Sequence, residues 1–220
     1  MAMYDAPDLL SRSQVLLNRP STDEGLTDAI WYTFLGYAQQ RLMGLLAIHA
    51  PEANYNAPTL LVTADSGATY TFGTDADGAN IAPIGHIEVR ESKTGAMIPP
   101  ASAWDTSTQA YLFESDKIRW PGQKTRVLAD GPYARWVTMP TVLNGSTAPT
   151  VKPLFARELL VYDACERAAL RLGMDPTPYG AMFDARWPEI LFSITTAHHG
   201  AGAIGVDGGR GGVWWQGFRA

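Results

Sequence analysis

The chain has 220 residues, 46% of them hydrophobic and 18% charged, which excludes a disordered polyelectrolyte and leaves room for one substantial core or two small ones. A formal net charge of −5, with no run of lysine or arginine, excludes a protein whose affinity comes mainly from phosphate contacts. One cysteine, Cys165, excludes an internal disulfide framework and suits a reducing cytosol, and no apolar stretch approaches a membrane span.

The acidic opening "MAMYDAPDLL" does not read as a secretion signal. Leu9, Leu10, Leu16 and Leu17, seven apart in pairs, predict one face of a short helix over 5–18. "PSTDEG" at 20–25 breaks the chain. Beyond it, Trp31, Phe34, Leu35, Ala38, Leu42, Leu45, Leu46 and His49 recur at steps of three and four. They predict a helix of about six turns, with Thr27 as N-cap, Asp28 in the favoured first turn and Pro51 at the stop.

From about residue 58 the period becomes two. "TLLVTA" and "ATYTFG" flank "DSG" and read as a hairpin. "HIEVRE", the turn "SKTG", then "AYLFE", "KIRW", "TRVLA" and "ARWVTMP" follow, with "PGQ" and "DGP" as turns. Short strands at this spacing predict a small antiparallel sandwich or barrel of roughly ninety residues.

After "NGSTAPTVKP" the helical period returns. Phe155, Leu159, Tyr162, Cys165, Ala169 and Leu172 form a stripe that Gly173 and Pro176 stop. A last helix is predicted over 178–197, bent or restarted at Pro188. The segment "GGRGGVWWQGFRA" at 208–220 is different in kind. Gly208, Gly209, Gly211 and Gly212 make a hinge, while Val213, Trp214, Trp215 and Phe218 are large apolar groups that are costly to leave in water. It reads as a docking arm for a partner, with Arg219 at the rim of the contact.

Chemistry is sparse. Asp75, Asp77 and Gly78 make a fragment of a calcium loop, but the twelfth position holds Ile84 where glutamate is needed, so a solvated turn is the reading. His198 and His199 point apart on any regular backbone and lack partners at ligand spacing. Cys165 sits on an apolar stripe as a small core residue. One "GGRGG" unit lacks the repetition and charge of RNA-binding tails. No nucleophile elbow or nucleotide-binding glycine loop occurs, and the expectation is a non-enzymatic protein with no cofactor and no metal.

The stretch "STDEGLTDAIWYTFLGYAQQRL" (21–42) resembles the opening helix of the head–tail adaptor proteins of tailed bacteriophages, which form rings beneath the portal. "GPYARWVTMPTVL" and "PTVKPLFARELLVYDACERAA" resemble the same family, in which an aromatic-rich strand passes through a proline-containing loop into a helix. "ATYTFGTDADGANIAPIGHIEV" is similar to the β-insertion of some members. The resemblance implies a homo-oligomeric ring, usually of twelve copies, bound to the portal protein and to tail or nozzle proteins. Double-stranded DNA would pass through its lumen without specific binding, and the protein would be made in the host cytoplasm and reside in the virion neck. It also implies an arm that adds to a portal sheet or fills a cleft between portal subunits.

The expected fold is therefore α+β. An α-helical bundle is built from the N- and C-terminal segments (1–57 and 151–197), a small antiparallel β-domain is inserted at 58–150, and an extended C-terminal arm follows at 198–220. Leu35, Leu42, Leu46, Leu159, Tyr162 and Cys165 are the expected helical core. Burying Trp214, Trp215 and Phe218 would remove about 450–700 Å² from water, worth about 11–18 kcal/mol. Ordering residues 212–220 costs about 9–18 kcal/mol, so one arm binds weakly and a ring of arms binds firmly. The alternative from another class is a β-sandwich binding module, for example for carbohydrate, offering Trp104, Trp120 and Trp136; a hydrolase with an unfamiliar site is a third.

Overall fold

Helix α1 covers Ala6–Leu17, α2 Asp28–His49, α3 Glu158–Arg171 and α4 Thr177–His199. The computed structural model describes residues 4–19, 25–60, 69–71, 83–92, 94–100, 111–114, 117–119, 133–140 and 142–199. Together with short antiparallel strands, the helices make a mixed α+β architecture.

Local chemistry sets the helix ends. Asp5 caps α1 by accepting from the Asp8 N–H at 2.9 Å, and Asn18 closes it in the left-handed region at φ 54°. Thr27 stands at the N-cap of α2, but it works through its backbone carbonyl, which accepts from Ile30 and Trp31 at 3.0 Å; its hydroxyl makes no cap bond. Pro51 opens a one-turn 3-10 helix over Pro51–Asn54 that ends α2. Helix α4 continues unbroken through Pro188, with no restart there.

Helix α3 packs against α1, α2 and α4. Its Ala164, Cys165, Ala168 and Ala169 are fully buried, and such small side chains let neighbouring helices come close. Leu35, Leu42, Leu46, Leu159 and Cys165 are all fully buried, whereas Tyr162 is half-buried at the margin of the cluster. The buried face of α2 runs through Trp31, Leu35, Gln39, Leu42, Met43 and Leu46. The predicted stripe was rotated from it: Phe34 and Leu45 are only half-buried and His49 is exposed. Because α2 is apolar around much of its circumference, composition alone did not orient it. Phe155 is 43% exposed, since Leu154–Arg157 form a 3-10 turn after Pro153 and α3 begins only at Glu158.

The strands are β1 Thr59–Leu60, β2 Thr69–Thr71, β3 Pro83–Arg90, β4 Met97–Ile98, β5 Leu112–Glu114, β6 Lys117–Arg119 and β7 Tyr133–Thr138. They form two antiparallel sheets, ordered β1-β7-β3-β4 and β2-β6-β5. The turn "DSG" and most of both arms of the expected hairpin lie outside the described residues, and no pairing between the arms occurs among the described ones. Their described parts lie in different sheets, β1 against β7 and β2 against β6. A turn sequence permits a local pairing, but burial of the strand faces decides which partner wins. The predicted strand "TRVLA" lies outside the described residues.

Strand alternation splits the first sheet into two faces. Ala134 and Trp136 point to a second apolar cluster, where Ile87 and Val89 meet Tyr111 and Ile118 from the direction of the other sheet. Val137 points the other way, into the helical core, with Ile84 against its edge. A register shift between Ile84 and Ile87 makes this possible. Gly85 lies in that shift at φ +70°, and a Cβ there would stand 2.9 Å from the Ala47 Cβ on α2. Only glycine lets the strand lie on the helix at this point.

Candidate assembly surface

Helix α4 is apolar on two opposite faces. Inwardly, Phe183, Ile190 and Ile194 are buried and Trp187 is half-buried, its ring edge-on to His49 with centroids 6.0 Å apart. Arg41 of α2 lies over the Phe183 ring at 4.3 Å, which fixes α4 to the body. Outwardly, Met182 is 41% and Phe192 53% exposed, in line with exposed Ala185 and Pro188 at helical spacing. A surface helix normally turns a polar face to water, so a second apolar stripe marks a place for another surface. The other exposed apolar side chains, such as Val15, Ile48 and Val142, come from separate elements and are ordinary at that frequency.

The outer stripe has a shallow depression of about 430 Å³ lined by Arg186, Pro188, Glu189, Phe192 and Ser193. Arg186 closes one side by pairing with Glu189 and, across to α3, with Glu158 at 3.3 Å. Pro188 has no N–H, so the Asp184 carbonyl one turn earlier receives no helical hydrogen bond from it. The depression offers an apolar wall of Pro188 and Phe192 beside a carboxylate already paired with Arg186.

Several polar groups that organise the body escaped the sequence reading. Asp163 on α3 is 1% exposed and accepts from Arg41 at 2.5 Å and Arg167 at 2.6 Å. The Asp163–Arg167 spacing of four was visible as a helical charge pair, but nothing in the sequence signalled its burial. Gln39, fully buried, accepts from the Thr150 N–H at 2.7 Å, and buried Asn54 accepts from the Lys152 N–H at 2.9 Å. Arg157 binds the carbonyls of Val151, Pro149 and Tyr4 at 2.6, 3.0 and 3.2 Å. The bonds from Gln39 and Asn54 fasten the connection from β7 to α3 onto α2 and the turn that follows it, and those of Arg157 satisfy loop carbonyls that burial would otherwise orphan.

In the sheet, Glu88 sits between Arg90 at 2.5 Å and Arg135 at 2.7 Å. Burial pushes its carboxyl up, but the two guanidinium hydrogen bonds outweigh burial and hold it below its ordinary value. Cys165 donates to the Ser13 carbonyl at 3.4 Å, and burial pushes its thiol up to about 12. This is a packed thiol, and at neutral pH a thiol so shifted is protonated and unreactive.

The proposed docking residues Val213, Trp214, Trp215, Phe218 and Arg219, and the hinge Gly208, Gly209, Gly211 and Gly212, lie outside the described residues, as do Asp75, Asp77, Gly78, Trp104 and Trp120. Trp136 is 2% exposed and therefore unavailable as a platform for a sugar ring, which corrects the role it had in the carbohydrate-binding reading. Among the described residues no group of three or more His, Cys, Asp or Glu side chains is placed to share a metal ion, and no helix is long and apolar enough to cross a membrane.

Compared with known proteins, the chain matches no family model, and no curated protein matches it either.

Proposed function

We propose that this protein is a structural component of a tailed-phage virion, an adaptor that assembles as a ring beneath the portal, extends the DNA channel and provides the attachment site for the tail. One observation carries the reading. Two of the segments that resemble the adaptor family, 21–42 and 131–169, are far apart in sequence, yet the helices they contain are adjacent in space. Helices α2 and α3 pack along each other, and Arg41 of the first is paired with Asp163 of the second. In this reading the four helices are one bundle built from both ends of the chain, the sheets are an insertion between its halves, and 198–220 is an extended arm.

The outer stripe of α4 supports an assembling protein, because it offers apolar surface without converging catalytic groups. The acidic balance of the chain suits a conduit, since a basic lumen would hold the passing DNA. Portal docking is assigned to Val213, Trp214, Trp215 and Phe218, with Arg219 meeting a carboxylate at the rim.

The test uses the portal protein from the same genome, purified as rings. The full chain should co-sediment with these rings, and particles viewed by electron microscopy should carry an added ring beneath the portal. A chain lacking 208–220 should keep its helical circular dichroism and lose the association. Failure of the full chain to bind, or unchanged binding by the truncated one, overturns the assignment.

A further inference from the structure

The connection from β7 to the 3-10 turn before α3 runs over residues 139–153, with neither helix nor strand among those described. Loops of that length are uncommon in a compact fold and are usually functional. This one is held in place. Leu143 and Val151 are buried, and the Asn144 carboxamide oxygen accepts from the N–H groups of Ser146 and Thr147 at 2.9 Å. The bonds from Gln39, Asn54 and Arg157 tie down its second half. On this fixed frame Met139 is 46% and Val142 83% exposed. An exposed valine is ordinary by itself. A long loop whose ordering is complete, and which turns apolar side chains outward, is not. Positions 136–151 hold no Asp, Glu, Lys, Arg or His, and depletion of charge is what marks the core of a protein–protein contact.

We propose that this loop, through Met139 and Val142, seats in the α4 depression of a second copy of the chain, a heterologous contact between two unlike surfaces. The depression selects such an occupant in three ways. Its apolar wall is Pro188 and Phe192, and its volume of about 430 Å³ takes two aliphatic side chains. Its charges are already matched, because Arg186 and Glu189 pair with each other. A charged occupant would be covered there without a counter-ion, whereas an uncharged loop leaves that pair intact. The Ser193 hydroxyl is engaged as well, donating to the Glu189 carbonyl at 2.8 Å within its own helix. Each copy carries one loop and one depression, so the contact passes from copy to copy and makes a ring where the rotation closes. It covers on the order of 400 Å² a side, against the about 800 Å² per partner of a stable pair, so isolated chains stay apart until a template gathers them. The contact goes beyond the adaptor reading and is observable without a portal.

The experiment mixes two differently tagged full-length chains, Val142→Cys and Ser193→Cys, without portal and at high concentration, and links them with a short bis-maleimide. Cys165 is buried and protonated, so it takes no part. Linkage between 142 and 193 should form about tenfold faster than linkage of Ser193→Cys to Ile48→Cys, a position of similar exposure outside the contact. Adding Met139→Asp to the Val142→Cys chain should bring the rate down to that of the control and leave the circular dichroism unchanged, since Met139 is not part of the core. The double variant Val142→Cys/Ser193→Cys should give a ladder of linked copies beyond the dimer. A rate no greater than the control's overturns the contact, as does a rate that Met139→Asp leaves unaltered in a folded chain. So does a double variant that links only within one chain or stops at dimers. None of these outcomes bears on portal binding, by which the adaptor reading is tested separately.

Discussion

Leu42 is fully buried on α2, and truncating it leaves a cavity that the surrounding helices fill only partly. Leu42→Ala should lower stability by about 2–5 kcal/mol in urea unfolding. A loss well below 1 kcal/mol would mean that α2 faces the core differently. Gly85 poses a different problem, because both its φ of +70° and the 2.9 Å approach to Ala47 exclude a side chain. Gly85→Ala should cost about 1–3 kcal/mol from the backbone alone, and the contact adds to it. Adding Ala47→Gly should return part of the loss, because it removes the clash and not the strain. Strict additivity of the two changes would show that strand and helix do not touch there.

Electrostatics at the scale of the element follows from Glu88, which ties β3 to β7 through Arg135 and to its own strand through Arg90. A carboxyl held below its ordinary value binds fewer protons folded than unfolded. The stability it contributes is complete above its unfolded value near 4.5 and is lost as pH falls through the lower folded value. Urea midpoints of the native chain and Glu88→Gln should therefore differ most at about pH 6–7 and converge towards about pH 3. A constant difference across that range would mean that Glu88 is not ion-paired in solution. The connection from β7 to α3 belongs to the same scale: Gln39 and Asn54 hold it by bonds to its backbone N–H groups, a device independent of the loop's own side chains.

For the whole molecule, the adaptor reading makes assembly depend on a partner. One arm yields nearly as much in burial as it costs in ordering, so isolated chains have little to hold them together, and a template that gathers many arms does. The purified protein should sediment as a monomer and become oligomeric only with portal rings present. A stable ring formed without the portal would reverse that order of events.

Periodicity alone was enough to show helices at both ends of the chain with strands between, because a step of 3.6 or 2 is a property of local geometry. It also identified Leu35, Leu42, Leu46 and Leu159 as apolar positions of helices, and the turn residues at most element ends. The sequence did not reveal the orientation of α2, since Phe34, Leu45 and Ile48 are as apolar as the residues that are buried. Nor could it pair the strands: β1 and β2 flank a plausible hairpin turn yet join different sheets, because register and partner follow from which faces are covered. The burial of Asp163, Gln39 and Asn54 was equally hidden, as each is a polar residue whose partner lies up to 122 positions away. The outer stripe of α4 emerged only once its inner face was known. An apolar helix reads the same from sequence whether one side or both are covered, and tertiary packing alone decides which side remains for a partner.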